Sequence, residues 1–512
     1  MGGTKLLADK YREQVRGVLQ CFDRVIISGH LHPLCYAKGI TGYLCRRGIR
    51  IFDYATAFAE PLREAIRAQA QALAAEHGVE IEFIRRSQSL RKEDRIQEIL
   101  ATRGDQPGLV HIFAAMERCP AYRPWHDKST HHTYLQSTES KCLHYYFYFI
   151  DEDLGLCYLR VPTWCPFRLQ FYGNGHHWLA NQLRQRGIAF VQQDNAFLDI
   201  ADFDTANELA AQLDVNRLHA KLDQYARLYC PVVTELDLQY SWSIMQAEYA
   251  TDLVFKQQAT LQAIYAPLLA TLIQAVKPAD IATFLGRKLH GHYQGELGNR
   301  FNVRLLGSRI KHQMGPVTIK MYDKLQIVLR IETTVNDVSF FQHYRQVQHQ
   351  DGTTTTRWAP MKKTIYSLPA LQETLQAANQ RYLKFVSDIE TPEVGVAKLT
   401  QLTVTQVENG HRYKGFNLLA EEDASLFRLL LRGEFFISGF TNQRLRQHLP
   451  HLSAAQLTRL LKRLRVHGLI KKVGQRYKYY LTEFGRQVAT MVLKLRELYV
   501  IPSLAQNLVA QA

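Results

Sequence analysis

The sequence predicts a multidomain protein of mixed α/β and α+β class. The expected parts are an N-terminal α/β layer, an aromatic α+β sandwich, a helical segment with a basic antiparallel sheet, and a C-terminal winged helix. Three observations lead there. The chain has 512 residues, enough for about three to five domains at roughly 100–200 residues each. Hydrophobic residues make up 46% and charged residues 21%, which supports packed cores and excludes a disordered chain. The apolar pattern changes along the chain with no internal repeat or low-complexity tract, which excludes a solenoid. The expected domains are 1–120, 121–212, 213–395 and 420–500.

In 1–120 the strand candidates Arg24–Ser28, Val79–Ile84 and Leu109–Ala114 flank Glu60–His77, a stretch rich in helix formers that ends at Gly78. Continuous apolar strands separated by helices suggest a parallel layer. In 121–212, Tyr145–Ile150 and Leu156–Val161 flank Asp151 to Gly155 as a hairpin; a helix around Trp178–Arg186, a strand Ala196–Ile200 and a helix near Thr205–Leu213 follow. That order suggests a small open-faced sandwich. The aromatic run Tyr145–Phe149 reads as core rather than as a base-stacking platform, where Tyr146 and Tyr148 would face single strands.

Residues 214–290 read as mainly helical, and 300–334 as a meander of Phe301–Leu306, Arg309–Gln313, Val317–Tyr322 and Ile327–Thr333. Gln348–Arg357 reads as a polar, Thr-rich loop, and Leu368–Phe385 as a helix.

The C-terminal segment has the most specific pattern. Thr441 can N-cap a helix over Asn442–Leu449, which Pro450 ends. Ser453 caps Ala454–His467, with Leu457, Leu460, Leu461 and Leu464 on one stripe and Gly468 as terminator. Leu469–Val473, a turn at Gly474-Gln475 and Arg476–Leu481 form a basic two-stranded wing, and Thr482 opens a final helix with Gly485 in its first turn. This order over 423–498 resembles the winged helix-turn-helix of MarR-type regulators, which implies nucleic-acid contact by the second helix and the wing.

Charge supports that expectation. Lys+Arg total 63 against Asp+Glu 47, a formal net charge of +16, which points to a polyanionic partner. No run approaches the ~18–20 apolar residues of a membrane span, and the N-terminus lacks a signal-peptide core, so a cytoplasmic setting without a membrane partner is expected. Eight cysteines include no C-x-x-C pair, which argues against a zinc ribbon. The expected contacts to DNA or structured RNA are Arg444, Arg459, Lys462, Arg463, Lys471, Lys472, Arg476 and Lys478 in the winged helix. In the central sheet they are Arg304, Arg309, Lys311, Lys320 and Arg330, with Lys320, Tyr322, Arg330 and Glu332 sharing one face by strand alternation.

Ile319–Lys324 with Leu329–Glu332 is similar to a short segment of plasmid and filamentous-phage replication initiators. That family implies a His-hydrophobe-His metal motif, for which His30-Leu31-His32 and His290-Gly291-His292 are poor matches. Tyr158–Phe167, Phe284–Lys288 and Arg330–Asp337 resemble a bacterial protein family with a MarR-like C-terminus, a likeness that implies no activity.

Candidate chemistry is a Mg²⁺-dependent nuclease, which needs carboxylates converging on the metal. Glu248 and Asp252, at i and i+4, share a face if helical. Asp323, Glu332 and Asp337 lie on or beside the basic sheet. The bland reading is surface acids satisfied by nearby Arg and Lys. Gly173-Asn174-Gly175-His176-His177 is a weak phosphate-loop candidate before a helix. No G-x-x-x-x-G-K-[ST], G-x-S-x-G or H-E-x-x-H is present, which argues against P-loop NTPases and the commonest hydrolases and zincins. A ligand-responsive regulator is the third reading. Mobile-element, replication or guide-RNA systems fit the many basic segments better than a simple repressor, since MarR-type repressors are far shorter.

Overall fold

The computed structural model describes residues 6–505 apart from 86–89, 290–292, 305–306, 390–391, 474–477 and 503. The chain divides into two compact units, Met1–Glu390 and Thr391–Ala512.

In chain order the strands of the first unit begin with β1 (Val15–His30), β2 (Ile81–Ile84), β3 (Gly108–Asp127), β4 (His132–Asp151), β5 (Gly155–Pro162) and β6 (Arg168–Gly173). A separate hairpin follows, β7 (Phe190–Gln193) with β8 (Ala196–Ile200). The rest are β9 (Ser241–Phe255), β10 (Leu297–Arg304), β11 (Gly307–Met314), β12 (Val317–Lys324), β13 (Val328–Val335), β14 (Gln342–Gln348) and β15 (Thr354–Pro360). Eleven of them form one sheet in the order β10-β11-β12-β13-β9-β1-β6-β5-β4-β3-β2.

This architecture is mixed α/β, as expected, but its parts merge. β3 runs through residue 120, and β4–β6 belong to the same sheet as β10–β13, so the N-terminal layer, the aromatic sandwich and the basic sheet are one layer. The parallel layer is also corrected. Only β2 and β3 pair in parallel, and every other neighbouring pair of the sheet is antiparallel.

One strand–helix–four-strand order occurs twice. β1 leads through the helices Ala37–Arg46 and Glu60–His77, then the inserted edge strand β2 and the helix Lys92–Arg103, to the meander β3–β6, whose last strand returns beside β1. β9 leads through Gln258–Ala275 to the meander β10–β13, whose last strand returns beside β9. β1 and β9 pair antiparallel at the centre, so the two halves join along this ladder. The repeat is one of topology, which the sequence does not display.

Ser241–Phe255 falls in the stretch expected to be helical, yet it is a strand in which every residue from Ala247 to Phe255 is buried. A strand buried on both faces lacks the alternation that marks a half-exposed one. Its odd positions Tyr249, Leu253 and Phe255 face a large core formed with the helices Val215–Tyr229, Gln258–Ala275 and Leu368–Ile389. Asp214 caps the first of these by accepting from the Asn216 and Arg217 amides, and Leu218, Leu222, Tyr225, Ala226 and Tyr229 form its buried stripe. Each large side chain so buried contributes about 1.5–3 kcal/mol. Asn379 of Leu368–Ile389 donates to the Tyr249 and Ile331 carbonyls and the Thr251 hydroxyl, and accepts from Thr333. These bonds fix that helix on β9 and β13.

Smaller cores cover parts of the opposite face. Gly175–Gln185 and Phe203–Ala211 pack on Leu19 and Cys21 of β1. Lys92–Arg103 packs on Phe113, Tyr146 and Tyr148. All five aromatics of Tyr145–Phe149 are buried, so the run is core and no stacking platform.

The second unit contains the helices Glu421–Leu430, Gly433–Ser438, Asn442–His448 and Ala454–Val466, the strands Ile470–Val473 and Lys478–Leu481, and the helix Glu483–Lys494. Its own core holds Leu445, Leu457, Leu461, Leu464, Leu469 and Val488. The caps fall where the side chains dictate. Thr441 accepts from the Arg444 amide, Ser453 and Gln456 form a capping box, and Thr482 accepts from the Gly485 amide. A Cβ on Gly485 would lie 2.0 Å from the Leu469 carbonyl oxygen, so the last helix can approach the wing only through glycine.

Candidate functional site

Two polar regions are built by these elements. The first lies where the repeats meet. The β1–β9 ladder runs from Val15↔Phe255 to His30↔Ser241, with an irregularity near its midpoint, where Phe22 faces Tyr249 and Arg24 faces Glu248. Asp23 is the extra residue there, and a bulge re-aims its side chain. It falls beside Arg330 of β13 at 3.4 Å and the His176 ring at 3.1 Å, and accepts from the Asn195 amide at 2.6 Å.

Asp252 receives Arg330 as a two-pronged pair, Nε to Oδ1 at 2.7 Å and Nη2 to Oδ2 at 2.6 Å. Arg330 is fully buried and also donates to the Asn195 carbonyl. Burial opposes ionisation of both acids, but Arg330 and the His176 ring together outweigh it and hold Asp23 and Asp252 below the usual carboxylate range. Arg330 is therefore a structural cation rather than the nucleic-acid contact expected for it.

Next to this pair, Lys320 of β12 lies 2.5 Å from Glu332 and 3.7 Å from Glu248. Tyr322 donates to Glu332 at 2.7 Å, and Arg24 lies 3.8 Å from Glu248. Burial, and then Glu332, push Glu248 above its ordinary pKa against the pull of Lys320 and Arg24. Ligand oxygens of Asp23, Glu248 and Glu332 all lie within 4.8 Å of one another. This trio could hold a divalent cation if Lys320 moved from its present partners.

Of the expected catalytic acids, Glu248 and Glu332 come together. Asp252 is committed to Arg330. Glu248 and Asp252 share a face because both lie on a strand, at even positions, and not on a helix. Asp323 alternates away from Lys320 and Tyr322, so it does not join the cluster, and burial raises its pKa. Asp337 caps a short helical turn by accepting from Ser339. Asp23, missed from sequence, stands directly before the strand candidate Arg24–Ser28; an acid at that boundary was the available signal.

Outward from Glu332, Lys320, Lys311 and Arg300 occupy directly paired positions across β12, β11 and β10. Like charges in direct cross-strand register repel. Burial and then Lys320, Arg300 and Arg309 lower the Lys311 pKa, while Arg300 pairs with Glu296. Arg309 lies on β11 in register with Tyr322. Arg304 ends β10, and its side chain lies outside the described residues.

The other sequence candidates acquire structural roles. Asn174 accepts the His176 and His177 amides as a helix cap, so those donors are occupied, and a Cβ on Gly175 would meet the Phe22 carbonyl oxygen at 2.0 Å. The proposed phosphate loop is thus a packing joint. His30 and His32 stack at 6.1 Å, and among the described residues no further metal-ligating side chains gather on them. His290 and His292 lie outside the described residues.

The second region is the C-terminal module. Arg444, Arg459 and Lys471 are exposed and form no ion pair among the described residues. Lys472 is exposed, and Lys478 stands over the Tyr480 ring at 5.7 Å. Arg476 lies outside the described residues. Arg463 differs from expectation. It donates to the Lys414 and Gly415 carbonyls, pairs with Asp423 at 3.2 Å and covers the Phe416 ring at 3.8 Å. It is an internal bracket. Lys462 pairs with Glu408 at 2.5 Å, which restricts its reach.

Residues 437–500 match the HxlR-like helix-turn-helix family. The C-terminal segment therefore carries an HxlR-like helix-turn-helix, a winged type related to the MarR-type regulators that its spacing resembles. No curated protein and no solved structure matches the chain, and the similarity to replication initiators finds no support. No single helix among the described residues is long and apolar enough to cross a membrane.

Proposed function

We propose that the chain is a regulator-like DNA-binding protein that holds duplex DNA through its C-terminal helix-turn-helix. The reading rests on one coincidence: the HxlR-like match at 437–500 covers Arg444, Arg459 and Lys471, which project into solvent from the two helices and the wing. Lys311, in direct register between Lys320 and Arg300, offers further polyanion contact in the first unit. Because a compact unit of Met1–Glu390 accompanies the helix-turn-helix, we favour a mobile-element, replication or RNA-associated setting over a simple repressor. A cavity of about 400 Å³ bordered by Arg118, Arg160, Arg168 and Lys363 supports an anionic effector if the protein is ligand-responsive. The test is to purify the protein with its native nucleic acid and sequence what accompanies it. Enriched duplex DNA supports the reading; structured RNA alone, or no nucleic acid, contradicts it.

A second reading, a Mg²⁺-dependent nuclease or recombinase, is favoured by the convergence of Asp23, Glu248 and Glu332. It expects cleavage of labelled DNA or RNA in Mg²⁺ that Glu332→Gln removes. No cleavage with any divalent metal rules it out.

A further inference from the structure

The segment expected to be a Thr-rich loop is instead a two-stranded ribbon, β14 with β15. Ala359 is its one buried residue, while Tyr344 and Trp358 are 57% and 65% exposed. Among the described residues, neither strand pairs with any strand of the large sheet. An isolated hairpin is marginal in water, and this one exposes its aromatics as a cross-strand pair with ring centroids 5.8 Å apart.

Its charge is as uneven as its exposure. Arg345 lies directly opposite Arg357, a destabilising register unless an anion lies near. Arg345 donates to the Pro360 carbonyl, whereas Arg357 and Lys362 are exposed and make no ion pair among the described residues. From Gln342 to Lys362 the single acid is Asp351, whose carboxylate is taken up by the Thr353 amide and hydroxyl in the turn. Alternation gives the ribbon two different faces. Tyr344, Gln346, Gln348, Thr354, Thr356 and Trp358 share one, and the paired arginines stand on the other. At its foot, a cavity of about 530 Å³ is bordered by Trp358, Arg287, Lys288 and Arg381, with no carboxylate in its lining.

We propose that the β14–β15 ribbon is a second DNA-contacting element that enters the major groove of duplex DNA. The chemistry fits this partner. Seven residues per strand at about 3.3 Å each give a ribbon of about 23 Å. The B-form major groove, about 12 Å wide, admits a two-stranded ribbon. Gln and Thr side chains offer both donors and acceptors to base edges, and the cations find phosphates along the groove walls. The major groove of an A-form RNA duplex is too narrow for side chains to read, so duplex DNA is the occupant. The proposal rests on the DNA-binding reading above and extends it to the first unit.

The test uses the full chain with duplex DNA and with duplex RNA of the same sequence. Binding should change tryptophan emission in the wild type with DNA, and Trp358→Phe should remove most of that change. The double variant R357Q/K362Q should flatten the dependence of log K on log salt by about two units, one per lost phosphate contact. A third protein, R459Q/K471Q, separates the two readings: it binds DNA more weakly yet keeps the Trp358 signal. If W358F and wild type respond alike and R357Q/K362Q keeps the wild-type slope, the ribbon proposal falls while DNA binding stands. Loss of the Trp358 signal in R459Q/K471Q at saturating DNA also overturns the ribbon contact. An equal Trp358 response to duplex RNA overturns the groove assignment. No binding to any duplex at low ionic strength removes both readings.

Discussion

Arg330 shows how a cation written into a basic stretch can belong to the interior. Its guanidinium meets Asp252 edge-on and reaches Asp23, all three buried. Removing one partner of such a group strands the others without water. Arg330→Met should therefore cost about 3–5 kcal/mol of unfolding free energy, read as a lower urea midpoint. A loss below about 1 kcal/mol would mean that the acids find solvent or another cation. His312 gives a pH signature in the same unit. It bonds Tyr382 at 2.9 Å and Asn299 at 2.7 Å, and burial pushes its pKa from 6.5 down to about 4. Because the folded value is the lower one, its stabilising contribution is complete above about pH 6.5 and drains away as the pH falls toward about 4. His312→Gln should lose less stability than wild type between those limits, measured by urea unfolding at pH 7.5 and 4.5. An equal loss in both proteins would contradict this. Burial likewise drives His177, in the helix Gly175–Gln185, down to about 4, so the wild-type loss has more than one source.

Among elements, those governed by local chemistry were legible in the sequence. The caps at Thr441, Ser453 and Thr482 and the leucine stripe each depend on residues within a few positions, and all appear as expected; Gly485 falls in the first turn of the last helix as expected, but its close approach to Leu469, 16 positions back, was not legible. The β4–β5 hairpin around Asp151–Gly155 and the β10–β13 meander were legible for the same reason as the caps. β9 was not, because burial on both faces erased its period and its Ala and Glu residues favour helix. Nor were the partners of Arg463, which come from Lys414, Gly415 and Asp423, about 40 to 50 positions away. The two arginines of the same helix should thus behave differently. Arg463→Gln should destabilise the second unit by about 1–3 kcal/mol. Arg459→Gln should leave its stability within about 0.5 kcal/mol and weaken DNA binding. Urea unfolding and a binding titration of both variants separate the roles; equal loss of stability in the two would refute the distinction.

For the whole molecule, the duplicated strand–helix–four-strand topology explains why polar residues gather at the β1–β9 ladder. This is where two similar halves must join, and Asp23 from one and Glu248 from the other fall there. Sequence alone supplied two of the converging acids, Glu248 and Glu332, but not Asp23, whose role depends on a bulge and on pairing across more than two hundred residues. The merged sheet was hidden for a similar reason, since strand order is set by long-range pairing that single-strand patterns do not encode. Net charge, by contrast, is additive and was legible at once. On the proposed function, exposed cations of the C-terminal module grip duplex DNA. The most direct measurement is the salt dependence of full-chain binding to duplex DNA, wild type against R444Q/R459Q/K471Q. A steep wild-type slope that flattens by about two to three units in the variant is expected. Identical slopes, or a wild-type chain that binds no duplex at low ionic strength, would contradict it.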